Sequence, residues 1–360
     1  MKSSADKEKS KLIIYAPGIH TGGGYTLLRG LLASNKLRDI PSTLVLDARS
    51  QANALKPERA EIHTIHASPL ARLKAELHLK QIVRPGDTLI CLHSLPPLFR
   101  LQGRTICFHQ NILLLGGLSL KGYSLKTQLR LKIERLFGKF LRSRVDTYAV
   151  QTQSMKRALQ AWHRRDPKIV ICPFVPDITP SAGSTNRKPE IDFVYIADGL
   201  PHKNHLNLLE AWKLMAHKGV KPSLCMTLTT RDSDLIAQIE SLSREYGLNI
   251  ENRSHLTTEE IADLYDSSRA LIYPSLAESF GLPLIEAQRH GIPIIASELD
   301  FVRDVCQPAE TFDPSSPLSI ARAVHRFLSL PEEHQAVYSA DLFFQTILMQ
   351  DRRESAGKIQ

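Results

Sequence analysis

The stretch 274–293 carries two glutamates eight positions apart, Glu278 and Glu286, in the order P-S-L-A-E-S-F-G-L-P-L-I-E-A-Q-R-H-G-I-P. Apolar runs before and after it predict strands, and the stretch itself predicts a loop and then a helix. Pro283 suits the first helical turn, where a missing N–H group has no cost, and Gly291 suits the end of the helix. A helix N-terminus favours a phosphate, and carboxylates favour hydroxyl groups. The stretch therefore predicts a site for a nucleotide-sugar.

A second phosphate-binding candidate lies near the start of the chain. The apolar run Leu12–Ala16 predicts a buried parallel strand, the turn P-G-I-H-T-G-G-G follows, and a helix is predicted at Tyr25–Ala33. Three successive glycines, Gly22, Gly23 and Gly24, allow the backbone to approach a ligand in front of a helix N-terminus. The same pattern is equally typical of tight packing between a strand and a helix. The G-x-G-x-x-G spacing of dinucleotide sites is absent.

Two further polar side chains follow predicted strands. Ile191–Ala197 predicts the first strand of a second series, and Lys203 lies in the loop D-G-L-P-H-K-N-H behind it. A cation at the carboxyl end of a parallel strand suits a phosphate, although a surface lysine is more often only solvated. His109 lies in F-H-Q-N at the end of the predicted strand Thr105–Phe108, where a histidine is either structural or functional.

The elements that position these residues alternate between short apolar runs and helical patterns. Alternation of this kind is typical of an α/β fold with parallel sheets, in which ligands bind beyond the carboxyl ends of the strands. Further strands are predicted at Thr43–Leu46, Glu61–Ile65, Thr88–Leu92, Asp146–Val150, Ile169–Val175, Leu224–Leu228, Asn249–Glu251, Ala270–Tyr273 and Ile292–Ala296.

The length of 360 residues suits two domains better than one. A polar stretch rich in Pro, Ser and Thr separates the two series of strands and predicts a linker. We place a first domain at 1–176, the linker at 177–190, a second domain at 191–345 and a polar tail at 346–360.

The segment Lys121–Arg144 predicts a basic amphipathic helix. It contains eight Lys or Arg residues and one acid, and its apolar residues recur at helical spacing: Leu125, Leu129, Ile133, Leu136, Phe137 and Phe140. One interpretation is a surface helix with its apolar stripe on the sheet and a solvated basic face. The other is contact with anionic lipid headgroups, with the preceding loop Ile112–Leu118 dipping into the interface.

Composition restricts the remaining classes. The net charge of +9 favours anionic partners, but little aromatic residue content accompanies the basic segment, which argues against nucleic acid. No apolar run approaches the length of a transmembrane helix, and we do not expect the polar start of the chain to be a signal peptide. The five cysteines are scattered without a C-x-x-C pair, which favours reduced core residues of a cytosolic protein over a disulfide or zinc framework.

The run Y-P-S-L-A-E-S-F-G-L-P-L-I-E-A at 273–287 closely resembles the E-x7-E motif of the retaining GT-B glycosyltransferases of family 4. The H-K-N-H at 202–205, the I-C-P-F-V-P-D at 171–177 and the F-D-P at 312–314 add to the resemblance. It is strong over Ile191–Pro314 and weaker in the first half. It implies two Rossmann-like domains that face each other across a cleft, the second of which binds a UDP- or GDP-sugar.

The resemblance also implies roles for individual residues. Glu286 would bind the ribose hydroxyls, Glu278 the hydroxyls of the donor sugar, and Lys203 the diphosphate. His109 would lie near C1 and C6 of the sugar, so that the predicted catalytic set is His109, Glu278 and Lys203. The other donor-binding residues act through the backbone: Gly22, Gly23, Gly24, Ser279, Phe280, Gly281 and Leu282. No metal and no cofactor besides the donor substrate is expected.

One position departs from the family pattern. The family commonly places an arginine five positions before the lysine, where this chain has Asp198. The resemblance otherwise implies a retaining, hexosyltransferase-type enzyme that extends a saccharide or lipid-linked saccharide in cell-surface polysaccharide or lipopolysaccharide biosynthesis. We expect it in the cytoplasm, either free or peripheral on the inner face of the membrane. A non-catalytic GT-B scaffold, or another GT-B sugar-nucleotide enzyme, is the alternative.

Overall fold

The structure is a computed structural model that describes residues 10–55, 57, 59–163, 166–176, 189–331, 339, 340 and 342. Residues 177–188 of the predicted linker and the whole predicted tail, 346–360, lie outside the described residues. Within the described part of the chain, no helix combines the length and the apolar character needed to cross a membrane.

The first half of the chain forms a seven-stranded parallel sheet. Its strands are β1 (Leu12–Ala16), β2 (Ser42–Asp47), β3 (Ala60–Ile65), β4 (Thr88–Cys91), β5 (Arg104–Phe108), β6 (Thr147–Val150) and β7 (Ile169–Ile171). They lie in the order β3-β2-β1-β4-β5-β6-β7, with the reversal of a doubly wound sheet between β1 and β4. The apolar runs identified in the sequence form these strands because both faces of the sheet are covered by helices.

The second half forms a six-stranded parallel sheet of the same kind, in the order β10-β9-β8-β11-β12-β13. Its strands are β8 (Ile191–Tyr195), β9 (Leu224–Met226), β10 (Ile250–Asn252), β11 (Ser268–Tyr273), β12 (Ile294–Ser297) and β13 (Glu310–Phe312). We did not predict β13, because its three residues E-T-F carry no apolar run. It pairs with β12 at the edge of the sheet.

Helices connect the strands of both sheets. The described α-helices are α1 (Gly22–Leu32), α2 (Asn35–Asp39), α3 (Pro69–Ile82), α4 (Leu125–Leu141), α5 (Gln153–His163), α6 (His205–His217), α7 (Ser233–Tyr246), α8 (Thr258–Asp266), α9 (Leu282–Arg289), α10 (Asp300–Arg303) and α11 (Pro317–Phe327). The second sheet and its helices share one continuous core around Trp212 and Phe193, whereas the first sheet has separate apolar clusters on its two faces.

The predicted start of α1 was wrong by one turn. We expected the three glycines to form a loop before Tyr25, but α1 begins at Gly22, so the glycines are its first turn. Gly22 has a φ of +69°, and Thr21 before it is extended. A residue without a side chain is needed where the chain bends into the helix in this way. The glycines therefore form the helix N-terminus itself.

The structure contradicts the interpretation that the apolar stripe of the basic segment packs on the sheet. The helix in this segment is α4, followed by a short 3-10 helix at Arg142–Arg144. Its buried positions are Leu131 and Gly138, and the six residues of the predicted stripe are exposed. Helical periodicity identified the stripe correctly, but it does not specify which side of a helix meets the protein.

The interpretation of Ile112–Leu118 as a partly exposed apolar loop that dips into the interface was wrong for its leucines. Residues Ile112–Leu115 form a 3-10 helix, and three successive leucines in it, Leu113, Leu114 and Leu115, are buried. Arg135 of α4 holds the segment in place by donating to the carbonyl oxygens of Leu113 (2.7 Å) and Leu118 (3.1 Å). The leucines of the 3-10 helix are thus packed into the first half, whereas Gly116 and Gly117 after it are exposed.

Candidate active site

The N-terminus of α9 lies where the sequence predicted it, beyond the carboxyl end of β11. Gly281 precedes the helix with a φ of +81°, and a Cβ at this position would lie 3.0 Å from the side chain of Leu284. Only glycine meets both conditions without strain. Within the described part of the chain, the N–H groups of Phe280, Gly281 and Leu282 have no hydrogen-bond acceptor. These donors and the dipole of α9 are available to an anion.

Glu278, in the loop before α9, forms a buried ion pair with Lys203. The Lys203 Nζ lies 2.7 Å from Glu278 Oε1, and the side chains are 16% and 10% exposed. The hydroxyl of Tyr273 donates to the same oxygen at 2.9 Å. Burial alone would raise the pKa of Glu278, but the charges of Lys203 and His202 and the hydrogen bonds from Lys203 and Ser275 together hold this pKa below its ordinary value. Glu278 is therefore an ionised acceptor at neutral pH.

A set of contacts that sequence reasoning missed positions Lys203. Asn204, in the left-handed region with a φ of 64°, donates from Nδ2 to the carbonyl oxygens of Pro274 (3.0 Å) and Pro314 (2.7 Å). The hydroxyl of Tyr195 donates to the carbonyl oxygen of Lys203 at 2.6 Å. These bonds fix the H-K-N-H loop to the two segments that carry the E-x7-E and F-D-P motifs. The detectable signal was a tyrosine as the last residue of β8 and of β11, at the edge where ligands bind.

The second glutamate of the pair has different surroundings. Glu286 lies in α9 and accepts a hydrogen bond from the hydroxyl of Tyr265 at 3.0 Å. Burial raises the pKa of Glu286, and no cation is in contact with it among the described residues. A carboxylate held by one neutral donor keeps acceptor positions for hydroxyl groups. Glu278 is therefore ion-paired, whereas the charges of His290 and Arg289 lower the pKa of Glu286 without a direct ion pair among the described residues.

Loops of the first sheet meet the segment after Glu278. The hydroxyl of Ser279 donates to the carbonyl oxygen of Gln110 at 2.8 Å, and the hydroxyl of Thr152 donates to the carbonyl oxygen of Ser279 at 3.1 Å. Gly23 lies against Leu282, since a Cβ there would be 3.3 Å from the Leu282 Cδ1. The N-termini of α1 and α9 therefore converge from the two halves of the chain. Neither helix has an acidic residue in its first turn.

His109 lies at the same junction, one residue before Gln110. Its side chain is 3% exposed, and its Nδ1 has no hydrogen-bond partner among the described residues. Burial lowers the pKa of His109 to about 4, so the imidazole is neutral at physiological pH. A neutral imidazole offers a hydrogen bond to a sugar and does not compete with Lys203 for the phosphate.

We expect His109 to make the protein less stable in acid. The unfolded chain binds this proton near pH 6.5, whereas the folded chain resists it until about pH 4. Stability is therefore complete above pH 6.5 and is lost as the pH falls towards 4. Between pH 7 and pH 5, the free energy of unfolding of the wild type should fall by about 2 kcal/mol more than that of His109→Gln, measured by urea unfolding. His66→Gln, at an exposed position, is the matched control and should show the wild-type dependence of the free energy of unfolding on pH. The same dependence in His109→Gln would contradict the attribution of the acid sensitivity to His109.

Asp198, at the position of the expected arginine, lies near His202. The His202 Nδ1 is 2.6 Å from the hydroxyl of Tyr123, a contact between the two halves of the chain. Burial and then the charge of Lys203 lower the pKa of His202, whereas the charges of Glu278 and Asp198 act in the opposite direction. The field of Asp198 thus reaches the surroundings of Lys203. Among the described residues, no group of three or more His, Cys, Asp or Glu side chains is arranged to hold a metal ion.

Sequence comparisons find similarity between the second half of the chain and glycosyltransferases. Residues 180–340 match the family described as Glycosyl transferases group 1. The chain is 30% identical over 145 residues to the serotype-specific mannosyltransferase WbdA of Escherichia coli, which covers 39% of this chain and 18% of that protein. It is 29% identical over 114 residues to the O-antigen chain mannosyltransferase B of Escherichia coli, which covers 31% and 30%. The chain thus spans less than a third of the length of either relative.

A structural comparison extends over both halves. The structure of Anabaena HepE in complex with UDP and glucose matches with a TM-score of 0.65 at 14% identity, over 89% of this chain and 90% of that chain. An identity this low shows the fold alone. Two doubly wound parallel sheets with this neighbour define the GT-B fold, which confirms the predicted fold class.

Proposed function

We propose that this protein is a glycosyltransferase that takes a sugar from a nucleotide-diphosphate sugar. The observation that carries the proposal is the buried pair of Lys203 and Glu278 beside the converging N-termini of α1 and α9. A diphosphate leaving group requires preorganised positive potential, and a lysine with two helix N-termini supplies it. The family match over residues 180–340 and the mannosyltransferase relatives support the same activity.

Donor binding follows from the two glutamates. Glu286, which has no cationic partner among the described residues, binds the ribose hydroxyls, and Glu278 binds hydroxyls of the sugar. The free N–H groups before and within the first turn of α9 meet the phosphates, and Lys203 neutralises them. Gly22, Gly23 and Gly24 approach from the other half of the chain. These groups do not discriminate between bases, and the proposed donors are UDP- and GDP-sugars.

The proposed transfer retains the configuration at the anomeric carbon. The bond between C1 and the phosphate oxygen breaks, the acceptor oxygen bonds to C1 on the same face, and the acceptor proton passes to the departing phosphate. Glu278 is a poor nucleophile for this step because Lys203 and Tyr273 both donate to its Oε1, which leaves Oε2 to accept from the sugar hydroxyls. It acts as a binding group, and neutral His109 adds a hydrogen bond to the sugar.

The proposed acceptor is a saccharide or a lipid-linked saccharide of a cell-surface polysaccharide. Two relatives, a serotype-specific and an O-antigen chain mannosyltransferase, support this class and make mannose the first sugar to test. The structure of HepE is a complex with UDP and glucose, which makes UDP-glucose the second donor to test.

A panel of UDP-, GDP- and ADP-sugars in a thermal-shift assay tests the donor. A bound donor at a hundredfold excess over its Kd should stabilise the protein by about 3 kcal/mol, seen as a rise in Tm. Glu286→Gln should lose most of this rise, whereas Glu240→Gln at an exposed position of α7 should retain it. After transfer to a saccharide acceptor, the product should have the same anomeric configuration as the donor sugar, measured by NMR of the anomeric proton. An inverted product would contradict retention, and no shift with any nucleotide-sugar would contradict donor binding.

Asp198 is the specific observation that favours a second candidate, a non-catalytic GT-B scaffold. A carboxylate whose field reaches His202, the residue before the diphosphate-binding lysine, opposes an anionic ligand. A scaffold predicts neither a thermal shift nor donor hydrolysis, so the same panel separates the two functions.

A further inference from the structure

The side of α4 that faces away from the protein is an apolar ridge. The ridge consists of six large side chains that are all exposed: Leu125, Leu129, Ile133, Leu136, Phe137 and Phe140. The first, Leu125, is 83% exposed, and the last, Phe140, is 73% exposed. Single apolar residues are common on protein surfaces, whereas a contiguous row of this kind marks an interaction surface.

The ridge lies opposite the side by which α4 packs on the protein. At 3.6 residues per turn, its six members fall within an arc of about 120°. The buried positions Leu131 and Gly138 lie on the other side of the helix. Gly138 faces Trp162 of α5, and a Cβ there would lie 3.5 Å from the indole ring, at ordinary contact distance. The packing of α4 therefore turns the ridge outward.

Cations flank the ridge on both sides. Lys126 and Arg130 follow one edge of the helix, and Lys132 and Lys139 follow the other. The helix carries five Lys or Arg residues and one carboxylate, Glu134. Among the described residues, none of the four flanking cations forms an ion pair. Their charges are therefore available to an external partner.

A basic cavity adjoins the second edge of the ridge. Its volume is about 380 Å³, and it is lined by Gly116, Lys132, Arg135, Leu136, Lys139 and Trp162. The carbonyl oxygens of Leu113 and Leu118 hold the guanidinium of Arg135, so this cation is fixed at the wall of the cavity. Three cations around one cavity match a phosphate, and the ridge beside it matches an acyl chain.

We propose that the ridge and its flanking cations dock this protein on a bilayer surface that contains anionic phospholipids. The apolar side chains enter the interface, and the ammonium and guanidinium groups meet headgroup phosphates. A second copy of this chain would place the same five cations against each other. Nucleic acid would leave the six apolar side chains in water. An anionic bilayer satisfies both the ridge and the charges.

Docking at this surface goes beyond the proposed transfer reaction and does not depend on it. The helix follows directly after Tyr123 and Ser124, and the hydroxyl of Tyr123 contacts His202 in the candidate active site. A bilayer along α4 would therefore lie within about 25 Å of that site, the length of a helix of 17 residues. A lipid-linked acceptor anchored in the same bilayer would reach it.

Cosedimentation with vesicles tests the proposal without donor or acceptor. The full chain should bind vesicles of phosphatidylcholine with about 30 mol % phosphatidylglycerol and bind vesicles of phosphatidylcholine alone much less. Leu129→Asp combined with Phe140→Asp should lower the partition coefficient about tenfold or more, because apolar burial is lost and two charges are repelled. Lys126→Ala with Lys132→Ala and Lys139→Ala should lower it and weaken its dependence on salt.

The matched control is Leu214→Asp combined with Leu318→Asp, two exposed leucines of α6 and α11 that change the net charge equally. It should bind as the wild type does, and circular dichroism should give the same fold for all variants. Equal binding of the wild type and the ridge variant would overturn the proposal. A dimer in analytical ultracentrifugation that the ridge variant dissociates, without vesicle binding by the wild type, would overturn it in favour of a second copy.

Discussion

Replacing Lys203 with methionine should reduce sugar transfer about a hundredfold to a thousandfold and destabilise the protein by about 3 kcal/mol. The loss of transfer follows from the loss of a preorganised cation at the departing diphosphate. The loss of stability has a separate cause, because the substitution leaves the buried Glu278 carboxylate without its ion-pair partner. Initial rates with a saturating donor and urea unfolding measure the two effects.

The two causes are separable in a double variant. Lys203→Met with Glu278→Gln removes both charges, so most of the stability should return while transfer stays low. Lys213→Met is the matched control, because it breaks the surface pair of Lys213 with Glu210 and should change both quantities far less. Recovery of transfer in the double variant would contradict the assignment of Lys203 to the diphosphate. No gain in stability would contradict the buried pair.

Most of the fold was accessible from the sequence because parallel strands buried on both faces form continuous apolar runs. The run Leu12–Ala16 matches β1 residue for residue, and Ile191–Ala197 contains β8. The edge strand β13 was missed because a short polar strand carries no such signal. The start of α9 was also accessible, since Pro283 and Gly281 have preferences that are local to a helix N-terminus.

The residues that hold the candidate site together were not accessible in this way. Asn204 binds Pro274 and Pro314, which are 70 and 110 positions away in the chain. Tyr273 and Lys203 converge on Glu278 only because β8 and β11 are neighbours in the sheet. No local pattern encodes such contacts. The orientation of α4 is a similar case, since helical periodicity defines an apolar stripe and leaves open what covers it.

Replacing Asp198 with arginine should tighten the binding of a nucleoside diphosphate by about a hundredfold. The physical reason is the sign of the charge. Lys203 lowers the pKa of His202 and Asp198 raises it, so the negative charge of Asp198 opposes the positive potential of Lys203 at this position. Asp198→Asn removes one unit of negative charge and should give about a tenfold gain, and arginine adds one positive unit to it. Calorimetric titration with UDP and GDP measures both variants against the wild type.

The control for this series is Asp39→Asn and Asp39→Arg, which change the net charge equally at an exposed position of α2. These variants should bind the nucleotide as the wild type does, because Asp39 precedes the start of β2 and so lies at the edge of the first sheet opposite the carboxyl ends of its strands. Salt screens exposed charges that are far apart. Equal affinities in the Asp198 series would mean that this carboxylate does not face the diphosphate. If the Asp198 variants bind UDP or GDP more tightly but transfer sugar at the wild-type rate, release of the nucleotide product is already fast enough for turnover in the wild type. In that case Asp198 lowers product affinity in an active enzyme, and the departure from the family pattern no longer favours a scaffold.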